Sequence, residues 1–407
     1  MCKIIHVLNS LDPRSGGPVT VVRGIVREQL ERGYQLIVVA TNAQATKPWL
    51  PEREYISQVL KSEPFVRCKI YLLKSFGGFR PMNRFNYTPS AASTMLQLIE
   101  AESPQLIHVH GVFGHLGVTC CMVAKRMGVP YIVEPYGQLD EHCMKSGFAI
   151  FKKLMYRFLV RPVLEHAACI QVASPFEKQE ATKHRLRAPI RIIPHGIDFS
   201  AGRMAVECET ILDRYHDLRK RRFILYLSRL HKIKRPHWVL DSFLKVRDKH
   251  PDLALVFAGP DAGMESYLRS KVEAAGLEHE VVFTGFLQGP NKVAFFDSAS
   301  VFCLPSKHEN FGVAVVEAMA HGSPVVVTPG VASHIYVDEA GCGFTVEDSV
   351  DAVAEGIRKV LLSDRTELGR RGREYVEKYL TWQAVVENID EVYQDILRKR
   401  SRARYLR

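Results

Sequence analysis

Strand-like apolar segments alternate with helical segments along almost the whole chain, and this alternation constrains its fold more than any other feature. In the first half the strands are predicted at 4–9, 35–41, 106–110 and 131–134, and in the second half at 223–228, 254–258, 281–283 and 301–304. Alternation of this kind is typical of an α/β fold with parallel, doubly wound sheets. A chain of 407 residues exceeds one ordinary core. We therefore predict two domains, each with a doubly wound parallel sheet, at 1–197 and 198–381, followed by a helix and basic tail at 382–407 that return towards the first domain.

The composition indicates a globular protein in a reducing compartment. Apolar residues make up 46% of the chain and charged residues 24%. The nine cysteines show no CxxC spacing, and the opening MCKIIHVLNS reads as a first strand and not as a secretory segment. No apolar run is long enough to span a membrane. We expect a cytoplasmic protein.

The net charge of +11 favours an anionic partner. Nucleic acid is not expected, because basic and aromatic residues are interleaved only in the helical segment 148–164. Its apolar stripe flanked by Lys and Arg suits an interfacial helix on an anionic membrane surface, which would make the protein peripheral on the inner face of the plasma membrane. A helix docked on its own domain with snorkelling cations explains the same pattern.

The stretch Pro305–Pro324 holds the most informative helix, predicted at Val313–His321 with Asn310 as its N-cap. The helix is apolar almost all round except for Glu317, and Glu309 lies just before it. Amides around Asn310, Phe311 and Gly312 would form a seat for an anion at the helix start. Two carboxylates beside such a seat suit a nucleotide sugar. Alternatively Glu309 is solvated and Glu317 pairs with a Lys or Arg.

Other candidates lie where predicted strands end, which is the edge at which such sheets bind ligands. Arg229 and Lys234 could neutralise a diphosphate without a metal. Gly259 and Phe286-Leu287 could hold a base through backbone bonds and apolar contact.

In the first half, Gly16 and Gly17 could let the backbone approach a ligand, or simply form a tight loop. That loop is not GxGxxG, so a dinucleotide redox cofactor is disfavoured. His110 ends a strand at the ligand edge, although a histidine on a strand more often serves packing than chemistry.

These motifs resemble the retaining glycosyltransferases of family 4. The similarity rests on the GGP loop, PHGID at 194–198, SRLHKIK at 228–234, FAGP, FTGF and above all HENFGVAVVEAMAHGSPVV. It implies the GT-B fold, two Rossmann-like domains facing across a cleft, and transfer from a nucleotide-diphosphate sugar with no cofactor and no metal.

By this resemblance each candidate has an expected role. Glu309 would contact the donor sugar and Glu317 the ribose, while Arg229 and Lys234 would hold the diphosphate. The backbone from Phe311 to Val313 would touch sugar and phosphate, and Gly16-Gly17 would approach the donor from the other domain.

One position departs from the family pattern. Many relatives carry a histidine where this chain has Tyr136, which donates a hydrogen bond but is a poor base near neutral pH. His110 or His142 could take the polar role instead.

The PYGQLDE segment and the basic helix after it resemble bacterial transferases that build exopolysaccharide or lipid-linked repeat units. We therefore expect a saccharide or polyprenyl-diphosphate-linked acceptor and a role in surface polysaccharide synthesis. A nucleotide-sugar 2-epimerase of the same fold is the main alternative, and a non-enzymatic binding protein is the second.

Overall fold

The structure, a computed structural model, describes residues 2–12, 17–43, 52–76, 86–145, 149–198, 215, 218 and 221–405. The chain divides into two compact units. The first unit comprises Met1–Gly196 and Trp382–Arg407, and the second comprises Ile197–Thr381. Among the described residues, no helix has both the length and the hydropathy needed to cross a bilayer.

The first unit is built on a parallel sheet of seven strands in the order β3-β2-β1-β4-β5-β6-β7. The strands are β1 Lys3–Leu8, β2 Gln35–Thr41, β3 Lys69–Leu73, β4 Leu106–His110, β5 Tyr131–Glu134, β6 Cys169–Val172 and β7 Ile190–Ile192. The central strands are buried along almost their whole length. This explains their apolar composition, since helices cover both faces of a parallel sheet.

Helices connect these strands. They are α1 Gly17–Glu31, α2 Glu52–Lys61, α3 Ala91–Glu102, α4 His115–Arg126, α5 Glu141–Lys145, α6 Ala149–Met155, α7 Arg161–Glu165 and α8 Pro175–Thr182. The segment expected as one helix over 148–164 is instead interrupted, because a π-helical turn at Tyr156–Val160 separates α6 from α7. Residue 148 lies outside the described part of the chain.

The last helix of the chain, α16 at Trp382–Tyr405, also belongs to the first unit. Trp382 is buried and its ring lies against two glycines. A Cβ atom would come within 1.9 Å of the ring at Gly24 and within 2.6 Å at Gly196, so neither position admits a side chain without movement. The apolar side chains of Val385, Val386 and Ile389 then continue the core along α16.

The second unit contains a parallel six-stranded sheet in the order β10-β9-β8-β11-β12-β13. Its strands are β8 Arg222–Leu227, β9 Leu253–Ala258, β10 Val281–Gly285, β11 Val301–Leu304, β12 Val325–Val327 and β13 Gly343–Thr345. Its helices are α9 Pro236–Val246, α10 Glu265–Ala274, α11 Gly289–Ser298, α12 Val313–Ala320, α13 His334–Ala340, α14 Val350–Leu362 and α15 Arg365–Tyr379. Most of the polar stretch 200–220 lies outside the described residues.

Each sheet has one point at which the strand order reverses. In the first unit this point lies between β1 and β4, and in the second between β8 and β11. Loops that leave neighbouring strands in opposite directions open a crevice at the carboxyl edge there, which is where doubly wound sheets bind ligands.

Candidate functional site

Two loops of the second unit meet at the reversal point between β8 and β11. The backbone N–H of Lys307 donates to the carbonyl of Ile233 at 2.9 Å, and the Ser306 hydroxyl donates to the same carbonyl at 3.2 Å. These bonds hold the segment after β11 against the segment after β8. The candidates of both loops are therefore brought together.

Lys234 and Glu309 form the centre of this arrangement. The Lys234 side chain is 10% exposed, and its Nζ donates to Oε2 of Glu309 and, at 3.2 Å, to the carbonyl of His308. Arg229 lies on the same loop as Lys234 but is exposed, and no described residue forms an ion pair with it. The site thus offers one buried cation that is already paired and one exposed cation that is not.

The backbone of Glu309 is fixed on both sides. Its N–H donates to the Gly330 carbonyl at 2.8 Å, and its own carbonyl accepts from Ala332 at 3.0 Å. The side chain remains 25% exposed. A rigid backbone therefore holds the carboxylate at the boundary between the buried lysine and solvent.

The predicted helix is present as α12, but Asn310 is not its N-cap. Gly312 occupies that position with φ +87°, and no side chain caps the helix. A Cβ atom at Gly312 would lie 2.8 Å from Oγ of Ser333, so sterics as well as φ require glycine. Phe311 is buried and anchors the turn. Gly312 has no side chain that could accept from the first amides of α12, so these amides can bind an anion.

Glu317 lies on the one face of α12 that is not fully buried. Val313 and Ala314 share this partial exposure, whereas Val315, Val316 and Met319 are buried. Oε1 of Glu317 accepts from Nζ of Lys292 at 2.6 Å, and the two side chains are 23% and 30% exposed. Glu317 therefore pairs with a lysine, as the alternative expected, whereas Glu309 is paired with Lys234 and is not simply solvated. Its partner Lys292, on α11, was missed because nothing in the sequence indicates that these two helices are neighbours.

The remaining candidates of the second unit lie at the carboxyl ends of β9 and β10. Gly259 has φ +138°, and a Cβ atom there would lie 2.0 Å from the Ser228 carbonyl, so the two loops touch at backbone distance. Phe286 follows β10 with 69% of its surface exposed, while Leu287 is buried. An exposed aromatic ring beside a close backbone junction can stack on a flat ligand.

In the first unit the structure joins two of the three residues proposed for the polar role. Nδ1 of His110 lies 2.9 Å from the hydroxyl of Tyr136, which has a positive φ of +55°. The side chain of His142 lies outside the described part of the chain, as does Gly16. Gly17 is exposed at the start of α1. His110 and Tyr136 thus act as one hydrogen-bonded pair and not as alternatives.

Glu134 and His195 extend this pair, and sequence reasoning gave neither of them a role. Oε1 of Glu134 accepts from Nε2 of His195 at 2.9 Å, and Oε2 lies 3.3 Å from Nδ1 of His110. Burial alone would raise the pKa of the Glu134 carboxyl, but the two imidazoles hold that pKa below its usual range. The available signal was a charged residue at the end of the otherwise apolar strand YIVE.

Comparison with protein families matches both parts of the chain. Residues 16–196 match the model described as "Glycosyl transferase 4-like domain", and residues 210–379 match "Glycosyl transferases group 1". The chain belongs to the family 4 glycosyltransferases. Its two Rossmann-like units are those of the GT-B fold, as the sequence predicts.

The individual relatives that match this chain are distant, at 30% and 24% sequence identity for the two described next. An uncharacterized glycosyltransferase of Methanocaldococcus jannaschii is 30% identical over 42% of this chain and 45% of its own length, so the match spans less than half of that protein. The GDP-mannose:cellobiosyl-diphosphopolyprenol alpha-mannosyltransferase of Xanthomonas oryzae is 24% identical over 97% of both chains. Among solved structures, HepE of Anabaena in complex with UDP and glucose has a TM-score of 0.73 at 16% identity, covering 97% of this chain and 100% of that one. At that identity the structural likeness concerns the fold.

Proposed function

We propose that this family 4 protein transfers a hexosyl unit from a nucleotide-diphosphate sugar to a saccharide or lipid-linked saccharide, with retention of configuration and without a metal. One observation carries the proposal. Lys234, Glu309 and the uncapped start of α12 converge at the strand-order reversal of the second unit. That combination offers positive potential for a diphosphate next to a carboxylate for sugar hydroxyls.

The diphosphate would lie between the two cations and the start of α12. Lys234 is a buried donor held at a fixed place, and Arg229 is exposed and unpaired among the described residues. Together with the α12 amides they would stabilise the negative charge that develops on the leaving phosphate. These groups perform the task that a divalent cation performs in other transferases.

The two carboxylates would hold the two ends of the donor. Glu309, on its fixed backbone, would accept from sugar hydroxyls, and Glu317 on the open face of α12 would accept from the ribose. Phe286, with Gly259 beside it, would provide a surface for the base. In the transfer step the acceptor oxygen bonds to the anomeric carbon as the bond to phosphate breaks on the same face, and the acceptor proton passes to the leaving phosphate.

Incubation with UDP-glucose, UDP-N-acetylglucosamine, UDP-galactose and GDP-mannose, each with and without a chelator, tests this proposal. We expect turnover of at least one donor that survives chelation, and an axial anomeric product signal by NMR. Absence of binding and of turnover with all four would contradict the transferase. Formation of a 2-epimer from the donor alone would favour the isomerase.

For the acceptor, we propose a polyprenyl-diphosphate-linked saccharide used in surface polysaccharide synthesis at the cytoplasmic face of the membrane. The Xanthomonas relative is named for such an acceptor, cellobiosyl-diphosphopolyprenol. Assaying the purified protein with lipid-linked and free saccharides of the same sugar sequence tests the choice. Equal kcat/KM for the two would contradict the lipid-linked acceptor.

The segment 149–165, which comprises α6, the π-helical turn and α7, supports contact with the membrane. Its inward side chains, such as Met155 and Val160, are buried, but Ile150, Leu154 and Phe158 form an outer ridge with exposed fractions of 79%, 52% and 64%. Lys153, Arg157 and Arg161 are exposed along the same segment. One face therefore docks on the first unit, as the alternative expected, while the other face is exposed and available for the proposed membrane contact. An apolar ridge beside three cations suits anionic lipid.

Vesicle co-sedimentation separates a membrane role from chance exposure. We expect binding to vesicles that contain anionic lipid and at least roughly tenfold weaker binding by Leu154→Glu. Leu362→Glu is the matched control, because Leu362 is 82% exposed in the second unit. Binding that does not depend on anionic lipid, or equal losses in the two variants, would contradict the membrane contact.

A further inference from the structure

Three histidines meet inside the first unit. His6 on β1 pairs in register with His108 on β4, and His110 lies two residues further on the same face of β4. All three are buried, with exposed fractions of 0%, 0% and 4%. Each offers one ring nitrogen, and these nitrogens all lie within 4.8 Å of one another.

Polar groups on the outer side of two of the rings favour particular positions for their protons. Nε2 of His6 is 2.8 Å from Oε1 of Gln29. The amide nitrogen of Gln29 donates to the hydroxyl of Tyr393 at 3.4 Å, so its oxygen faces His6. An amide oxygen only accepts, and Nε2 of His6 therefore carries the proton. Nδ1 of His6 is left with a lone pair.

His110 has the complementary arrangement. Its Nδ1 lies 2.9 Å from the Tyr136 hydroxyl and 3.3 Å, without a hydrogen bond, from the carboxylate oxygen Oε2 of Glu134, whose negative charge favours a proton on Nδ1. Nε2 of His110 then also presents a lone pair, and it lies 3.0 Å from Nδ1 of His6. Two lone pairs at this distance repel each other unless a cation lies between them. If His110 instead carried its proton on Nε2, that proton could be shared with Nδ1 of His6. Tyr136 would then have to donate to Nδ1 of His110, and the lone pair of this nitrogen would face the negatively charged carboxylate of Glu134.

The third histidine and the carboxylate complete the donor set. Nδ1 of His108 lies 2.8 Å from the Tyr393 hydroxyl, whereas its Nε2 is buried without a hydrogen-bond partner. Oε2 of Glu134 is also buried without a hydrogen-bond partner, 4.0 Å from that nitrogen. Buried polar atoms without partners require a bound water or ion to satisfy them.

We propose that His6, His108 and His110 bind one zinc ion inside the first unit. Imidazole nitrogens suit zinc, and ligands about 2.0–2.1 Å from the metal lie about 3.3 Å apart, close to the spacing of His6 and His110. Gln29, Tyr393 and Glu134 hold the rings from outside, as is usual around metal-bound histidines. The Glu134 carboxylate offsets part of the ionic charge. The fourth position is filled by a small ligand such as water.

This site ties β1 to β4 and leaves Nδ1 of His110 to its contact with Tyr136, and the transfer step as written above uses none of the three ring nitrogens that would bind zinc. Its presence therefore does not depend on whether the protein transfers a sugar. A metal here is also compatible with transfer that survives a chelator, because the site is fully enclosed.

The metal content of the untagged full-length protein tests the proposal. After expression with added zinc and gel filtration, we expect about one zinc per chain, and tetrahedral visible bands when cobalt replaces zinc. His108→Gln should weaken zinc binding by roughly 100-fold or more while retaining a polar group opposite Tyr393. His166→Gln is the matched control, since His166 is an exposed histidine of the same unit. It should bind zinc like the parent protein.

Two results would overturn the zinc site. One is a folded parent protein that retains no stoichiometric zinc and gives no cobalt bands. The other is equal zinc binding by the parent and a folded His108→Gln variant. If that variant does not fold, the cobalt spectrum of the parent protein decides alone, since octahedral or absent bands would exclude three imidazole ligands.

Discussion

Both units reverse their strand order once, but polar and charged residues near that point are partly exposed in the second unit and buried in the first. In the second unit Glu309, Glu317 and Lys292 remain about one-quarter exposed, and Arg229 is exposed. In the first unit His6, His108 and Glu134 are fully enclosed. The same topology thus supports a set of charges open to a ligand in one case and an internal polar cluster in the other. Substitutions should accordingly reduce activity in the second unit and stability in the first.

Lys234→Ala should have the largest effect. It removes the buried cation proposed to hold the diphosphate and leaves Glu309 unpaired, so we expect kcat/KM to fall roughly a thousandfold. The urea midpoint of the first unit should not change. Lys232→Ala, an exposed lysine on the same turn, is the control. A loss of less than about tenfold would remove Lys234 from the proposed site.

Glu134→Gln should have the largest effect on stability. It replaces the carboxylate that accepts a buried hydrogen bond from Nε2 of His195, which costs about 2 kcal/mol of unfolding free energy. Urea titration followed by circular dichroism measures this cost, and nucleotide affinity should remain that of the parent protein. Glu165→Gln, at a surface pair with Arg161, should cost under about 0.5 kcal/mol. Equal midpoints for the two variants would contradict the contrast between the units.

Glu309→Gln should come next and act on turnover. Because its carboxylate is proposed to contact the sugar and not the nucleotide, we expect kcat to fall about a hundredfold while the affinity for the nucleoside diphosphate changes by less than about threefold. Steady-state kinetics and calorimetry separate the two quantities. A variant with weaker nucleotide binding and normal kcat would exchange the roles assigned to the two carboxylates.

Glu317→Gln should have the smallest effect. Loss of the ribose contact should weaken nucleotide affinity about tenfold, equivalent to about 1.4 kcal/mol, with a smaller change in kcat. Lys292→Met provides the comparison, because it removes the partner of Glu317 and keeps the carboxylate. Unchanged affinity in Glu317→Gln would leave Glu317 with a purely structural ion pair.

The sequence predicted those parts of the fold that local patterns determine. Strands β4, β5 and β11 begin and end as expected, and α12 ends before Gly322, because apolar runs bounded by Gly or Pro define such elements. The interrupted helix at 149–165 could not be foreseen, since its apolar residues continue through the π-helical turn without a break in composition.

Which side chains pair with each other could not be predicted from the sequence, for a different reason. Which lysine meets Glu309 or Glu317 depends on strand order and on which helices are neighbours, and neither is a local property. The same holds for His6, which becomes informative only when β1 is known to lie beside β4. The proposed roles of the site residues remain predictions.

The position of Trp382 has a consequence for how the protein is made. Its ring fills the space above Gly24 and Gly196, and α16 supplies core residues as far as Ile396. A nascent chain emerging from the ribosome therefore presents the first unit with an open hydrophobic gap until the second unit has been translated. The domain whose synthesis begins first can therefore complete its core only after the second has been synthesised, and we expect a premature stop before codon 382 to yield an aggregation-prone fragment.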